Sequence, residues 1–186
     1  MKESRYQHAL VRNLHEITQA IYEGRAHNAM MNCHTLHGMD FFRVVFYALN
    51  NDMLAHAIKV LDHDSKSASF WYIFRCKQKK IVKFIEENSM RDIELLTEKL
   101  KAIRNRAHFH IDRDAIFNPA KVWQDADIDY NLFSAVLNSL RLILDYLHTE
   151  EFGKGFGKLD YDGSDVEAIL RAVKSAGVVE FEFDEM

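Results

Sequence analysis

The sequence predicts an all-α fold, on three observations: few helix breakers, apolar residues spaced three or four apart along most of the chain, and an apolar content rich in rings. The 186 residues include one proline, Pro119, and seven glycines, so long stretches hold nothing that would interrupt a helix. Apolar residues make up 48% and charged residues 28%, the balance of an ordinary globular domain. Thirteen Phe against seven Tyr and two Trp imply a core filled with rings. The length suits one core and is short for two. The reading is a single helical domain over 1–186, a bundle of about five to seven helices with a short strand-like C-terminal tail.

The elements follow in order. Tyr6, Leu10, Leu14, Ile17 and Ile21 form one helix face, with Ser4 as N-cap and Gly24 as the stop. Residues 25–38, rich in Ala, Met and His, predict a further helical piece ending near Gly38. Asp40 offers an N-cap to a long helix whose stripe is Phe42, Val45, Phe46, Leu49, Met53, Ala57, Ile58 and Leu61. The polar run Asp62-His-Asp-Ser-Lys-Ser stops it. A short piece at Phe70–Cys76 precedes a basic helix at Lys77–Asn88 that turns Ile81, Val82 and Ile85 inward.

Ser89 with Asp92 three residues on resembles a capping arrangement. It leads into a helix carrying Ile93, Leu96, Leu100, Ile103 and Ala107. Arg113–Asp127, with Pro119 and Trp123, reads as an ordered connection. Phe133, Val136, Leu137, Leu140, Ile143, Leu144 and Leu147 mark the next helix. Gly153, Gly155 and Gly157 in FGKGFGK read as a flexible joint; no apolar strand precedes them, as a phosphate-binding loop requires. Ser164 or Asp165 caps a last helix that buries Val166, Ile169, Leu170 and Val173 and ends at Gly177. The tail VVEFEFDEM alternates apolar and acidic residues. It is expected either to pair with its copy in a second subunit or to lie extended on the surface.

A net charge of −4 and a pI near 6.2 argue against a domain that coats nucleic acid through bulk electrostatics, and leave room for a small local basic site. Cys33 and Cys76 read as reduced thiols, not a disulfide framework. The N-terminus is charged and lacks an apolar leader core. The apolar runs fall well short of the roughly 20 residues a membrane span needs. The expectation is a cytoplasmic protein without a membrane partner.

The densest chemistry is RNRAHFHID, Arg104–Asp112. Arginine presents a planar fork of donors suited to phosphate, and histidine exchanges protons near neutral pH. Together they can hold a phosphodiester and move protons around it without a metal. The helix dipole alone also favours Arg and His at a helix C-terminus, so the density has a purely structural reading as well. At about 100° per residue, periodicity pairs Arg104 with His108, or Arg106 with His110, and does not choose between them. On an unbroken helix Arg104 and His110 lie roughly 120° apart.

Arginine, a polar residue and then histidine near a helix end resembles the motif of HEPN domains, in which four to six residues separate Arg from His. Arg104 and His110 fit that interval, and Asn105 matches the polar residue. The likeness extends upstream: Asp40–Phe74 is similar to the AbiU-type abortive-infection branch, where a long apolar helix ends in a Leu-Asp-x-Asp element ahead of a serine-rich helix start. Leu61, Asp62, Asp64 and Ser69 match it. The resemblance covers roughly residues 40–150 and leaves 151–186 as a C-terminal extension.

The resemblance implies a metal-independent endoribonuclease of phage-defence or toxin-like character, without a cofactor. It implies His110 as acid/base, Arg104 steadying charge at phosphorus, and Asn105 positioning the substrate or the histidine. Arg106 and His108 would be substrate-binding residues. It further implies RNA as substrate, a homodimer whose two motifs form a composite site, and an antitoxin-like protein partner. The alternative is a non-catalytic HEPN module that binds a protein or a nucleotide. More distant is a metal-dependent helical-bundle enzyme, because His27, Cys33, His34 and His37 lie close together and His34/His37 have the i, i+3 spacing of a helical zinc pair. No HExxH or paired CxxC accompanies them, and no metal site is expected. Asp62-His-Asp64 could take a cation, but a turn at a helix end explains it more simply. Lys77, Lys79, Lys80 and Lys83 form the best basic cluster, for which a solvated helix face is the simpler reading.

Overall fold

The structure, a computed structural model, describes residues 4–32, 40–90, 92–105 and 119–176, apart from the side chains of 119, 120 and 123. Among these residues seven helices follow one another: α1 (Arg5–Asn32), α2 (Asp40–Leu61), α3 (Phe70–Glu87), α4 (Ile93–Ile103), α5 (Pro119–Ala126), α6 (Tyr130–Phe152) and α7 (Ser164–Ser175). The expected all-α bundle is the one observed. No described helix is long and apolar enough to cross a membrane.

Helix α1 is the axis of the bundle and touches α2, α3, α6 and α7. A capping box starts it: the Ser4 Oγ accepts from the Gln7 N–H at 3.2 Å, and the Gln7 Oε1 accepts from the Ser4 N–H at 2.8 Å. It does not stop at Gly24, as the sequence suggested, but runs on to Asn32. Gly24 instead marks a close approach, since a Cβ there would meet the Met53 Sδ of α2 at 3.1 Å. Leu10, Leu14, Ile17 and Ala20 of α1 are wholly buried, against Ala57 and Val60 of α2 and Leu140, Ile143 and Leu144 of α6.

The stripe expected along α2 is buried only in its second half, from Met53 to Leu61. No residue of Asp40–Asn50 is fully buried, and Phe41, Val44 and Tyr47 are exposed. Helix α3 joins the two pieces expected at 70–76 and 77–88. Their boundary survives as a kink, with Lys77 at φ −130°, ψ 27°. Ile81 is wholly buried, Ile85 half-buried and Val82 exposed.

Three further expectations need correction. Ser89 and Asp92 form no capping box: both have positive φ, 53° and 69°, and Asp92 makes no side-chain cap bond to α4. The connection before α6 contains α5, whose Val122 and Ala126 are buried and whose end is tied to α4 by Lys99 donating to the Ala126 carbonyl at 2.8 Å. Helix α7 starts after Gly163, at φ 86°, not on a Ser164 or Asp165 cap, and of its stripe only Leu170 is fully buried. Gly38, Ala107, Gly177 and the strand-like tail lie outside the described residues.

The glycine-rich joint after α6 is pinned along its length. Gly153 closes α6 in the left-handed conformation, φ 72°. The Phe156 N–H donates to the Asp145 Oδ1 at 2.6 Å, and the Arg141 Nη2 donates to the Gly157 carbonyl at 2.8 Å. The Phe156 ring sits edge-on to His15 and His148. Farther on, Arg25 of α1 donates to the Tyr161 carbonyl at 2.6 Å, and the Tyr22 hydroxyl donates to Asp160 at 3.0 Å. FGKGFGK therefore serves as a strap that returns the chain to α1.

Candidate functional site

Helix α4 buries Ile93, Leu96, Leu100 and Ile103 against the core, and this one-sided burial fixes where its C-terminal residues emerge. Beyond Ile103 the backbone widens into a π turn at Arg104–Asn105. Such turns shift the angular phase of a helix. Arg106, His108 and His110 lie outside the described residues.

Arg104 and Asn105 open into a cavity of about 200 Å³ between the ends of α2 and α4, lined also by Leu61, Asp62, His63 and Lys101. The Arg104 Nη1 donates to the Asp62 Oδ1 at 2.8 Å, with side chains 38% and 20% exposed. Among the described residues this contact engages one of the five donors of the guanidinium.

The turn that presents Asp62 is held at every residue of the Leu-Asp-x-Asp element. Leu61 is buried. Asp64 accepts from the Lys66 N–H at 2.8 Å, and its carbonyl from the Ser67 N–H at 2.9 Å. The buried Ser69 makes no side-chain cap bond to α3; its hydroxyl donates backwards to the Asp62 carbonyl at 2.5 Å. The Trp71 indole N–H donates to the Leu61 carbonyl at 3.2 Å. His63, exposed at the cavity, stacks on Trp71 with centroids 4.3 Å apart and planes 14° apart.

The sequence singled out Asp62 as a turn residue and a matching position, not as the partner of Arg104. His63 entered only within the Asp62-His-Asp64 run weighed for a cation, and its stacking on Trp71 was not foreseen. The polar composition of the run pointed to the turn, but nothing in local periodicity could link it to a residue 42 positions away. The cavity carries two acids, Asp62 and Asp64, and two bases, Lys101 and Arg104, so its charge is balanced, not strongly positive. The basic cluster of α3 is also largely spent. Lys77 meets Glu151 and Lys80 meets Glu150, each at 2.5 Å, and Lys83 faces Glu87 at 3.7 Å.

Of the histidines considered for metal, His27 stacks on Phe46 at 4.1 Å, and burial pushes its pKa down. Cys33, His34 and His37 lie outside the described residues. Among the described residues no group of three or more His, Cys, Asp or Glu side chains is placed to hold a metal ion.

A second polar cluster lies between α1 and α2. The His56 Nδ1 is 2.5 Å from the Glu16 Oε2 and its Nε2 is 3.5 Å from the Glu23 Oε1. Arg12 and Lys59 also reach Glu16, at 2.5 and 3.3 Å. It is a structural clamp well suited to fixing the pairing of α1 with α2 around the core.

No family model, no curated protein and no solved structure matches the chain.

Proposed function

We propose that the chain is a metal-independent endoribonuclease of HEPN type, with a composite site formed where two copies bring their motifs together. The observation that carries this reading is the meeting of Asp62 with Arg104 at one cavity. Asp62 and Arg104 belong to the two segments on which the resemblance rests and are 42 residues apart in sequence, and their meeting supports the reading. In this reading Arg104 donates to a non-bridging phosphate oxygen and steadies the charge that grows there. Asp62 holds the guanidinium in plane, Asn105 positions the substrate beside it, and His110 moves the proton at the 2′-hydroxyl or the leaving oxygen. Arg106 and His108 would contact the substrate on either side. A toxin-like or phage-defence role, with an antitoxin-like partner that masks the site, belongs to the same proposal.

The cavity volume fits the assignment. It is smaller than the roughly 300–1,000 Å³ of sites that engulf a small molecule, a size suited to one phosphodiester with little more than a neighbouring base at its rim. The test is cleavage of a structured cellular RNA in EDTA by wild type, R104A and H110A. Activity that survives EDTA and disappears in both variants is the expected result. If H110A cuts as wild type does, the catalytic assignment fails. Binding of RNA without any cleavage moves the chain to the non-catalytic alternative.

A further inference from the structure

We propose that His63, backed by Trp71, is a stacking platform for an unpaired nucleobase next to the phosphate held at Arg104, which makes single-stranded RNA the substrate class; this rests on the ribonuclease reading above. The platform is built, not incidental. Trp71 is fixed by its indole N–H bond to the Leu61 carbonyl and by edge contacts to Phe70 and Phe74 at 5.4 and 5.8 Å. His63 lies nearly parallel on it, 14° off, at 4.3 Å. Trp71 covers one face of the imidazole, and His63 is nevertheless exposed, so that exposure comes from its edge and its other face. A ring held flat on an indole has lost its rotational freedom before a ligand arrives, so a base that stacks on it incurs little further ordering cost.

Its position decides what would stack there. His63 follows Asp62, whose carboxylate is 2.8 Å from Arg104, and both residues line the same cavity. A phosphate on the guanidinium therefore has its neighbouring nucleoside within reach of the imidazole. Among the described lining residues Asp62 and Asp64 offset Lys101 and Arg104, so these four add little net attraction for a phosphate and a contact to the base adds affinity. Bases in an A-form duplex are already stacked and paired, and offer no free face. The geometry therefore selects unpaired nucleotides.

The experiment is fluorescence anisotropy of full-length protein with a labelled single-stranded 2′-O-methyl RNA decamer, which cannot be cleaved, and with its duplex. Wild type, H63A, H63F and R104A are compared, with melting curves confirming that each is folded. H63A should weaken single-strand binding by about 5- to 150-fold, H63F should restore it, and duplex binding should be weak and unaffected by either change. Equal single-strand affinity of H63A and wild type, with R104A weaker, overturns the platform and leaves the ribonuclease reading standing. Loss of binding in H63F equal to that in H63A also overturns it, because the imidazole would then act through a hydrogen bond and not through its face. Wild type that neither binds nor cuts RNA removes the functional reading, and the platform with it.

Discussion

The guanidinium of Arg104 donates to the carboxylate of Asp62 at 2.8 Å across 42 residues of sequence, and the two side chains close the same cavity. An arginine on a single long tether has many rotamers, and a carboxylate that holds one nitrogen leaves the remaining donors aimed in a fixed direction. The pair is thus better suited to positioning than to stability, for a half-exposed ion pair contributes only about 0–1 kcal/mol.

On the ribonuclease reading proposed above, removing each partner should affect cleavage far more than folding. R104A is expected to lower single-turnover cleavage by about 10²–10³-fold, and R104K should rescue little because an ammonium lacks the planar fork. D62A should cost about 10–10²-fold through misplacement of the guanidinium, with a melting temperature near that of wild type. An equal fall in melting temperature for D62A and a core variant such as L100A would show that Asp62 is structural.

Salt dependence supplies a separate check. With Lys101 and Arg104 as the cations among the described lining residues and Arg106 as the further substrate contact proposed, one strand should displace about two to three counterions per copy. That gives a slope of about −1.4 to −2.1 for log affinity against log salt. A slope several times steeper would place RNA on a basic surface other than this cavity.

Two glycines make opposite predictions about the frame. At Gly24 a new Cβ would press the Met53 Sδ, the movable part of a flexible side chain, at 3.1 Å. The helical gain of Gly→Ala, about 1 kcal/mol, should offset that pressure, leaving G24A near wild-type stability and G24L about 1–3 kcal/mol less stable. At Gly163 the φ of 86° and the Arg25 carbonyl 2.9 Å from a new Cβ leave no such escape. G163A should cost about 1–3 kcal/mol. Urea unfolding midpoints distinguish the two.

How much of this was legible depended on range. The apolar stripes of α4 and α6 identify their buried faces, because a helix needs only its own spacing to show which side is dry. Gly24 misleads because a helix-ending glycine and a close-contact glycine look alike until the partner helix is known. The first half of α2 misleads similarly: Phe41, Val44 and Tyr47 have core chemistry yet are exposed. The division expected at residue 76 is real but is a kink inside α3. For the site, residue types mark the run Arg104–Asp112 and the HEPN resemblance singles out Arg104, Asn105 and His110 within it, whereas the stacking of His63 on Trp71 becomes visible only when the turn brings the rings together. A tertiary contact between a loop and a distant helix leaves no periodic trace.

The last prediction concerns the clamp between α1 and α2. Burial tends to raise the Glu16 carboxyl, but the hydrogen bond from His56 and the charge of Lys59 outweigh it, and its pKa is lowered. Burial raises Glu23, Asp52 and Glu16 add to the rise, and His56 and Lys59 oppose it. The signs are therefore opposite. Glu16 contributes stability that is complete above the ordinary carboxyl value of about 4.5 and is lost as the pH falls through its lower folded value. Glu23 contributes stability below that ordinary value and loses it as the pH rises through its raised one. At pH 7 E16Q should cost about 1–2 kcal/mol by removing the buried carboxylate that His56, Lys59 and Arg12 share. E23Q should instead gain about 1 kcal/mol, since the buried Glu23 Oε2 has no hydrogen-bond partner among the described residues to compensate a charged carboxylate. Melting temperatures by circular dichroism at pH 7 and pH 4 separate the two cases. The E23Q advantage should shrink or vanish at pH 4, and an advantage that grows there would reverse the assignment of the raised carboxyl.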